Sequence, residues 1–257
     1  MVSIGNCNIK GGVGKSMTVY QVSGYLSNLG YKVLCIDADP QHNLSKAYSN
    51  HEYEYSLMDL LDNKVKFKDV VITPYKDDEI LKNIDLIPSN FDLFYFDVNE
   101  KNYLKLKEVL DNSNLDYDFI LIDTNPSINI LTANVLSYVD YVIGIFDSSA
   151  DSITGFQYLE KSIMKSVRDS VNPKLDVLGI VLNNNDTRSR IGTLTMKTIV
   201  RLYGDKLFDT DISASVKNKE SRTAKLPLVS YEPKHKSAMQ FEQLTNEIIE
   251  RLGELNG

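Results

Sequence analysis

The sequence predicts an α/β fold, a mostly parallel twisted β-sheet flanked by helices on both faces. Three observations carry that expectation. Short apolar runs recur along the chain and alternate with patterns of helical period, as in Val2 to Ile9 followed by Val19, Val22, Leu26 and Leu29. Strands separated by helices throughout imply a parallel sheet covered on both faces. A glycine-rich turn joins the first run to the first helix, and two later runs end on aspartate. With 257 residues and 42% apolar content, one domain of ordinary core size, residues 1–257, accounts for the chain.

In chain order, the first strand feeds Lys10-Gly11-Gly12-Val13-Gly14-Lys15-Ser16, and the first helix follows. Gly30 stops that helix, and Lys32 to Ile36 reads as a second buried strand that runs into Asp37-Ala38-Asp39-Pro40-Gln41. Residues 44 to 62 carry a short helical pattern, with Ser56 as a candidate N-cap before Leu57, Leu60 and Leu61. Residues 63 to 80 are charged and irregular and read as a surface excursion. Ile84 to Ile87 forms a brief strand closed by Pro88-Ser89, and residues 100 to 110 resume a helix on Leu104, Leu106, Val109 and Leu110. Phe119 to Ile122 is an apolar strand ending on Asp123. Tyr141 to Phe146 then leads to a helix from about Asp151 to Val167, and Val177 to Leu182 to a helix from about Ile191 to Tyr203. Ser215 to Lys225 and Lys236 to Leu252 read as helices, with no internal repeat or low-complexity linker.

The glycine-rich turn carries the chemistry. A strand, a flexible loop and a helix N-terminus together aim unpaired backbone N–H groups and the helix dipole at an anion. The glycines let the backbone wrap a phosphate closely. Lys15 then reaches the β- and γ-phosphates, and Ser16 offers a hydroxyl to Mg²⁺. The match to the usual G-x-x-x-x-G-K-[ST] pattern is incomplete, since Ile9 stands at its first position and a second lysine, Lys10, follows. An incidental turn, or a loop for another anion, fits these residues less well than a nucleoside triphosphate site. Asp37 and Asp39 lie at the carboxyl end of a parallel strand, the edge where ligands bind, although two acids so spaced also cap turns. Asp123, ending an apolar strand, has the form of a Walker B acid that holds Mg²⁺ directly or through water.

A net charge of -7 argues against a protein coated in positive potential, so nucleic-acid contact has to be regional. His42, His51 and His235 are scattered through polar stretches and read as solvated or loop residues. Cys7 and Cys35 fall in buried strands, where cysteine acts as a small hydrophobe, with neither metal-ligand spacing nor a disulfide framework. No apolar run nears the ~20 residues that span a bilayer, and no basic and apolar leader precedes the first strand. The expected location is cytoplasmic.

Lys-Gly-Gly-Val-Gly-Lys-Ser at 10 to 16, Asp-Ala-Asp-Pro-Gln at 37 to 41 and Ile-Asp-Thr-Asn-Pro-Ser at 122 to 127 resemble the deviant Walker A ATPases of the ParA/Soj type, relatives of MinD. The similarity continues through Leu131-Thr132-Ala133-Asn134, the stretch from Asn183 to Arg188, Glu220-Ser221, Pro227 and the final helix, so it spans nearly the whole chain. The resemblance implies a P-loop ATPase that hydrolyses ATP with Mg²⁺ and forms a nucleotide-dependent sandwich homodimer. It implies that Gly11, Gly12, Val13, Gly14, Lys15, Ser16 and Met17 cradle the nucleotide, and that Lys10 crosses the dimer interface to the partner's phosphates. Asp39 corresponds to the acid that positions the attacking water, Ser16 and Asp123 to the Mg²⁺ site, and Asn183 to the residue that reads adenine. A cation set against the γ-phosphate in trans couples dimerisation to that phosphate.

Dimers of this type bind DNA without sequence preference. The candidates here are Arg188, Arg190, Lys197, Arg201, Lys217, Lys219, Arg222 and Lys225, several at roughly helical spacing, which also describes a solvated helix face. Two departures stand out: His42 occupies the usual glycine position after Asp-Pro-Gln, and Ser213 a position where proline commonly stands. The first strand begins at once, so the helix-turn-helix extension of larger plasmid relatives, and operator-specific repression with it, is not expected.

The function implied is a partition ATPase that segregates plasmid or chromosomal DNA on the nucleoid with a ParB-like partner that stimulates hydrolysis. The alternatives are a MinD-like membrane-associated positioning ATPase, or an ATP-dependent metabolic enzyme on the same scaffold. The final helix, Phe241 to Leu252, has an acidic polar face that anionic lipids repel, so no membrane association is expected. The metabolic alternatives lack their own signals. Cys7 and Cys35 do not supply the exposed pair an iron–sulfur cluster needs, the tyrosines are dispersed rather than clustered at the end, and no substrate-pocket motif is present.

Overall fold

Every strand of the sheet runs parallel to its neighbours: β1 (Val2–Cys7), β2 (Val33–Ala38), β3 (Ile84–Ile87), β4 (Phe119–Thr124), β5 (Tyr141–Phe146), β6 (Asp176–Asn185) and β7 (Ile212–Ser213), in the order 3-2-4-1-5-6-7. The computed structural model describes residues 1–75, 77–99, 102–185 and 190–256, with side chains omitted at 97–99, 184, 185, 190, 191, 255 and 256. The helices in chain order are α1 (Lys15–Asn28), α2 (Asn43–Tyr48), α3 (Leu57–Leu61), α4 (Phe67–Val70), α5 (Phe94–Asn99), α6 (Lys105–Asp111) and α7 (Ile130–Tyr138). They continue as α8 (Ala150–Leu159), α9 (Lys165–Ser170), α10 (Arg190–Tyr203), α11 (Val216–Ala224), α12 (Leu228–Tyr231) and α13 (Lys236–Asn256). A π-turn, Glu160–Met164, makes α8 and α9 one continuous rod.

Side chains of a strand point alternately to opposite faces, and here both faces are buried. Val33 and Cys35 of β2, with Phe119 and Leu121 of β4, pack under α1, α12 and α13. Leu34, Ile36, Ile120 and Ile122 pack on the other side under α3, α6, α7 and α8. That double cover is why β4 and β5 read as apolar runs. The final helix docks Phe241, Leu244, Ile248 and Leu252, spaced by three and four residues, into the first of these faces. Fully burying each such side chain contributes about 1.5–3 kcal/mol. Cys7 and Cys35 are buried free thiols, as their strand positions imply, and burial pushes both up to about 12.

The expected α/β architecture is thus the one observed, with local differences. Residues 44 to 62 form two helices, α2 and α3, and Ser56 does cap the second in a reciprocal box with Asp59. The excursion from 63 to 80 contains the single turn α4 and an antiparallel bridge from Ile72 to Leu86. The helix expected over 100 to 110 starts only at Lys105, behind the unexpected α5. No helix among the described residues is long and apolar enough to cross a membrane.

Because β4 lies between β1 and β2, the glycine-rich loop after β1 and the acids ending β2 and β4 meet at one edge of the sheet. Asp37 and Asp123 are directly paired in register there.

Candidate active site

Buried asparagines fix the loop at both ends. Asn8, at the end of β1, donates its amide to the carbonyls of Ile145 and Ser152, both at 2.9 Å, while its oxygen accepts from the Lys10 N–H at 3.0 Å. Gly155 of α8 presses on this turn, and a Cβ there would lie 2.8 Å from Ile9 and 3.0 Å from the Asn8 oxygen. Gly12 and Gly14 have φ of +78° and +102°, a region that disfavours other residues. Gly14 is doubly constrained, since a Cβ would stand 1.8 Å from the amide nitrogen of Asn183. That nitrogen donates to the Val13 carbonyl at 2.6 Å, and the buried Asn183 oxygen has no partner. Asn183, which the resemblance assigns to adenine, is here a brace behind the loop. α1 opens at Lys15 with no side-chain cap, leaving its first N–H groups to an anion.

The two loop lysines are held differently. Lys15 is 7% exposed and donates Nζ to the carbonyls of Asn8, at 2.9 Å, and Lys10, at 3.4 Å. Burial lowers its pKa, and the Asp123 carboxyl is the main opposing influence. Lys10, half-buried, is bonded to the Asp147 carboxylate and to the Ser149 hydroxyl at 2.7 Å, both on the turn between β5 and α8. Burial raises the Asp147 carboxyl, but hydrogen bonds from Lys10 and Ser149 outweigh it and hold the group below its ordinary value. The lysine assigned by the resemblance to a partner's phosphates thus sits on an acid of its own chain.

Asp37 is fully engaged. It accepts from the Ser45 N–H and hydroxyl, each at 2.7 Å, and from the Asp39 N–H at 3.2 Å. Burial still raises it to about 6 against those bonds. Asp39 accepts from the Gln41 N–H at 2.9 Å, and its carbonyl accepts from His42 N–H and the Ser89 hydroxyl, each at 2.8 Å. Burial is also the main influence raising Asp39, with Lys15 among those opposing it. Asp123 differs from both: it is wholly buried, and neither carboxylate oxygen has a hydrogen-bond partner among the described residues. Burial first, then Asp37, push it well above its ordinary value, while the Ser16 hydroxyl, close by but outside hydrogen-bond geometry, and Lys15 pull it back. A buried polar group without partners is costly. Two oxygens of this kind beneath an anion loop, beside Ser16, fit a divalent cation.

The turn between β2 and α2 is left-handed at His42. His42 has φ of +46°, so the glycine usual at this position is the residue the backbone there favours. Its ring meets Phe91 edge-on, with centroids 4.6 Å apart.

The cations proposed for DNA are not alike. Lys197 and Arg201 are exposed on α10, and Lys219 is exposed on α11. Lys217 is neutralised by Glu220 at 2.9 Å and Glu232 at 2.8 Å. Arg222 donates to the Asn43 carbonyl and side chain, at 3.2 and 3.1 Å, and Lys225 to the Lys46 carbonyl, so both reach across to α2. Arg188 lies outside the described residues, and Arg190 opens α10 with its side chain outside them. Asn8, Asp147, Ser149 and Ser45 are site residues that sequence reasoning passed over. Asp147 carries the same signal as Asp37 and Asp123, an acid at the end of an apolar run.

A family profile described as an AAA domain matches residues 1–177. The chain is 32% identical to the chromosome-partitioning ATPase Soj of Treponema pallidum, an alignment covering 96% of each protein. In three dimensions it resembles apo McdA from Cyanothece, with a TM-score of 0.83 and 21% identity over 98% of this chain and 100% of that one. It also resembles cobyrinic acid a,c-diamide synthase from Mycobacterium smegmatis with bound ADP and magnesium, with a TM-score of 0.81 and 22% identity over 98% and 96% of the two chains. At those identities the structural likeness speaks for the fold.

Proposed function

The chain belongs to the ParA/Soj family of P-loop ATPases, and from that premise we propose that it is a partition switch, binding ATP with Mg²⁺, pairing into a homodimer and holding DNA without sequence preference. Residues 1–257 act as one ATPase domain, since a single sheet carries both apolar clusters. A ParB-like partner stimulates hydrolysis and releases the dimer, and repeated cycles carry plasmid or chromosomal DNA across the nucleoid.

The observation that carries this reading is the unpartnered Asp123 carboxylate beneath a glycine loop whose helix N-terminus is uncapped. Gly11 to Met17 wrap the phosphates, and Lys15, already desolvated, supplies a cation at the β- and γ-phosphates. Ser16 and Asp123 would hold Mg²⁺, Asp123 through water, and the ion would neutralise charge on the phosphates. Asp39, at the mouth of the same edge, orients the attacking water. Lys10 reaches the partner's phosphates only by leaving Asp147, so pairing exchanges one anion for another. A dimer doubles the exposed cations on α10 and α11, which lets an acidic protein hold DNA only in the ATP state.

The test is binding to a long arbitrary duplex with ATP, with ADP and without nucleotide, across a salt series. Retention with ATP alone, falling steeply as salt rises, is the expected result. No retention in any state removes the DNA part of the reading and leaves the ATPase part standing.

A further inference from the structure

A cavity of about 1080 Å³ opens behind the Asp39 turn, between Met17 at the start of α1, His42, α2, residues 49–56, residues 89–92 and α11. Its walls carry Lys46, Lys219, Arg222 and Lys225, with Glu52 and Asp92 as the only acids among the lining residues. None of the four cations is paired with a carboxylate in a described ion pair. By contrast, Lys217, on the same helix, has two glutamates. Arg222 and Lys225 bond only to carbonyl and amide oxygens of α2, and Lys46 stands over the Phe91 ring, 5.6 Å from its centroid. The Lys225 backbone is held at φ +59°, an unfavourable angle for a lysine, and its carbonyl accepts from the Tyr75 hydroxyl. Burial and the neighbouring Arg222 both lower the Lys225 ammonium, as expected of clustered cations lacking a counter-ion.

In a protein of net charge -7, such a concave cluster of unneutralised cations favours an anion. We propose that this cavity binds a compact oligophosphate, either inorganic or the phosphate tail of a second nucleotide, at a site that adjoins the glycine loop at Met17 but is lined by none of residues 11–16. The four lining cations match the three to four charges of a triphosphate, and Arg222 adds a planar fork suited to phosphate oxygens. The volume exceeds what a triphosphate alone requires and admits a nucleoside. The floor of the cavity leads to the acids of β2. The Ser89 hydroxyl donates to the Asp39 carbonyl at 2.8 Å, and the Ser89 N–H donates to the Ser45 hydroxyl, which donates to Asp37 at 2.7 Å. An occupant therefore bears on the Asp39 turn, and an effect on hydrolysis rests on the ATPase reading above.

Calorimetry on the full chain tests the site, with sodium tripolyphosphate as the probe and the glycine loop filled by saturating ADP, magnesium being in excess of total phosphate. One binding event is expected to remain. It should weaken at least tenfold in the Lys219→Gln/Lys225→Gln double variant, whose fold is checked by circular dichroism melting, and stay unchanged in Lys165→Gln, a paired surface lysine elsewhere. ATP and tripolyphosphate are compared on the Lys15→Ala variant. Tighter ATP binding identifies a second nucleotide as the occupant, and equal binding identifies inorganic oligophosphate. Loss of all tripolyphosphate binding once ADP fills the loop overturns the proposal, as does undiminished binding to the double variant. Displacement of the probe by a short DNA duplex that binds more tightly also overturns it, making the cavity part of a nucleic-acid surface. Failure of the wild type to bind ATP sinks the ATPase reading alone and leaves the tripolyphosphate result to stand by itself.

Discussion

The ends of β2 and β4 lie side by side, yet they treat their acids in opposite ways. Asp37 takes three hydrogen bonds, two of them from Ser45 at the start of α2. Asp123, its partner in register, takes none. Position in the sheet is therefore a poor guide to role, and hydrogen-bond satisfaction is a better one. The satisfied acid organises its own chain, because its lone pairs tie α2 to the sheet. The unsatisfied one keeps its lone pairs for something the chain does not supply. Removing each acid separates the two roles. Asp37→Ala orphans the buried Ser45 N–H and hydroxyl, at a cost of about 2–4 kcal/mol. In a protein this long that lowers the melting temperature by roughly 5–15 °C in a thermal scan. Asp123→Ala removes an unpartnered buried carboxyl, so the nucleotide-free protein should melt no lower than wild type. Its magnesium-dependent ATP affinity should fall at least tenfold by calorimetry. If Asp123→Ala melts as low as Asp37→Ala while still binding ATP, the two roles have been assigned the wrong way round.

Asp39 sharpens the comparison, because it shares a strand end with Asp37 but not its bonding. Among the described residues, only the Gln41 N–H donates to its carboxylate. Asp39→Ala should keep ATP binding and dimerisation and lose hydrolysis, measured as phosphate release under saturating ATP. Normal turnover in that variant would remove Asp39 from the catalytic role.

A third strand end, that of β5, extends the contrast to the other side of β1. Asp147 holds Lys10, and its carboxyl lies below its ordinary value on account of that contact. A depressed carboxylate pKa contributes stability that is present above the unfolded value and lost as pH falls through the folded one. The contact therefore persists across the neutral range and loosens only in acid, below the ordinary carboxylate range. Asp147→Asn frees Lys10 at neutral pH. It is expected to tighten ATP-dependent dimerisation several-fold in sedimentation experiments, with no change between pH 6 and 8. Weaker dimerisation would show that Asp147 positions Lys10 for the partner instead of retaining it.

Much of this was legible in the chain. Both faces of the sheet are covered, so its strands appear as apolar runs, and the glycine loop announces its own geometry. Less visible were elements whose signal is spread evenly. α7 is apolar nearly all round and offers no stripe to detect, and β7 is two residues long. Asn183 shows the limit at the site. The resemblance alone assigns it to adenine, and the hydrogen bond of its amide to the Val13 carbonyl, across 170 residues of chain, is a pairing that no local pattern encodes. The basic residues of α11 teach the same lesson, since helical spacing could not reveal that Lys217 is neutralised while Arg222 faces α2.

The smallest expected effect belongs to His42, on the turn that carries Asp39. A left-handed backbone costs a residue with a side chain roughly 1–2 kcal/mol, and His42 adopts one at φ +46°. His42→Gly relieves that strain but gives up the edge-on contact with Phe91 and the ring's approach to the Pro40 carbonyl at 3.1 Å. Glycine also adds freedom to the unfolded chain, which opposes the gain. These contributions nearly cancel, so the melting temperature should move by less than about 2 °C in either direction. Phosphate release is the more informative readout. If the ring serves only to fill the turn, the rate stays within about twofold of wild type. A tenfold loss would mean that His42, and not the backbone shape it adopts, is what sets Asp39 in place.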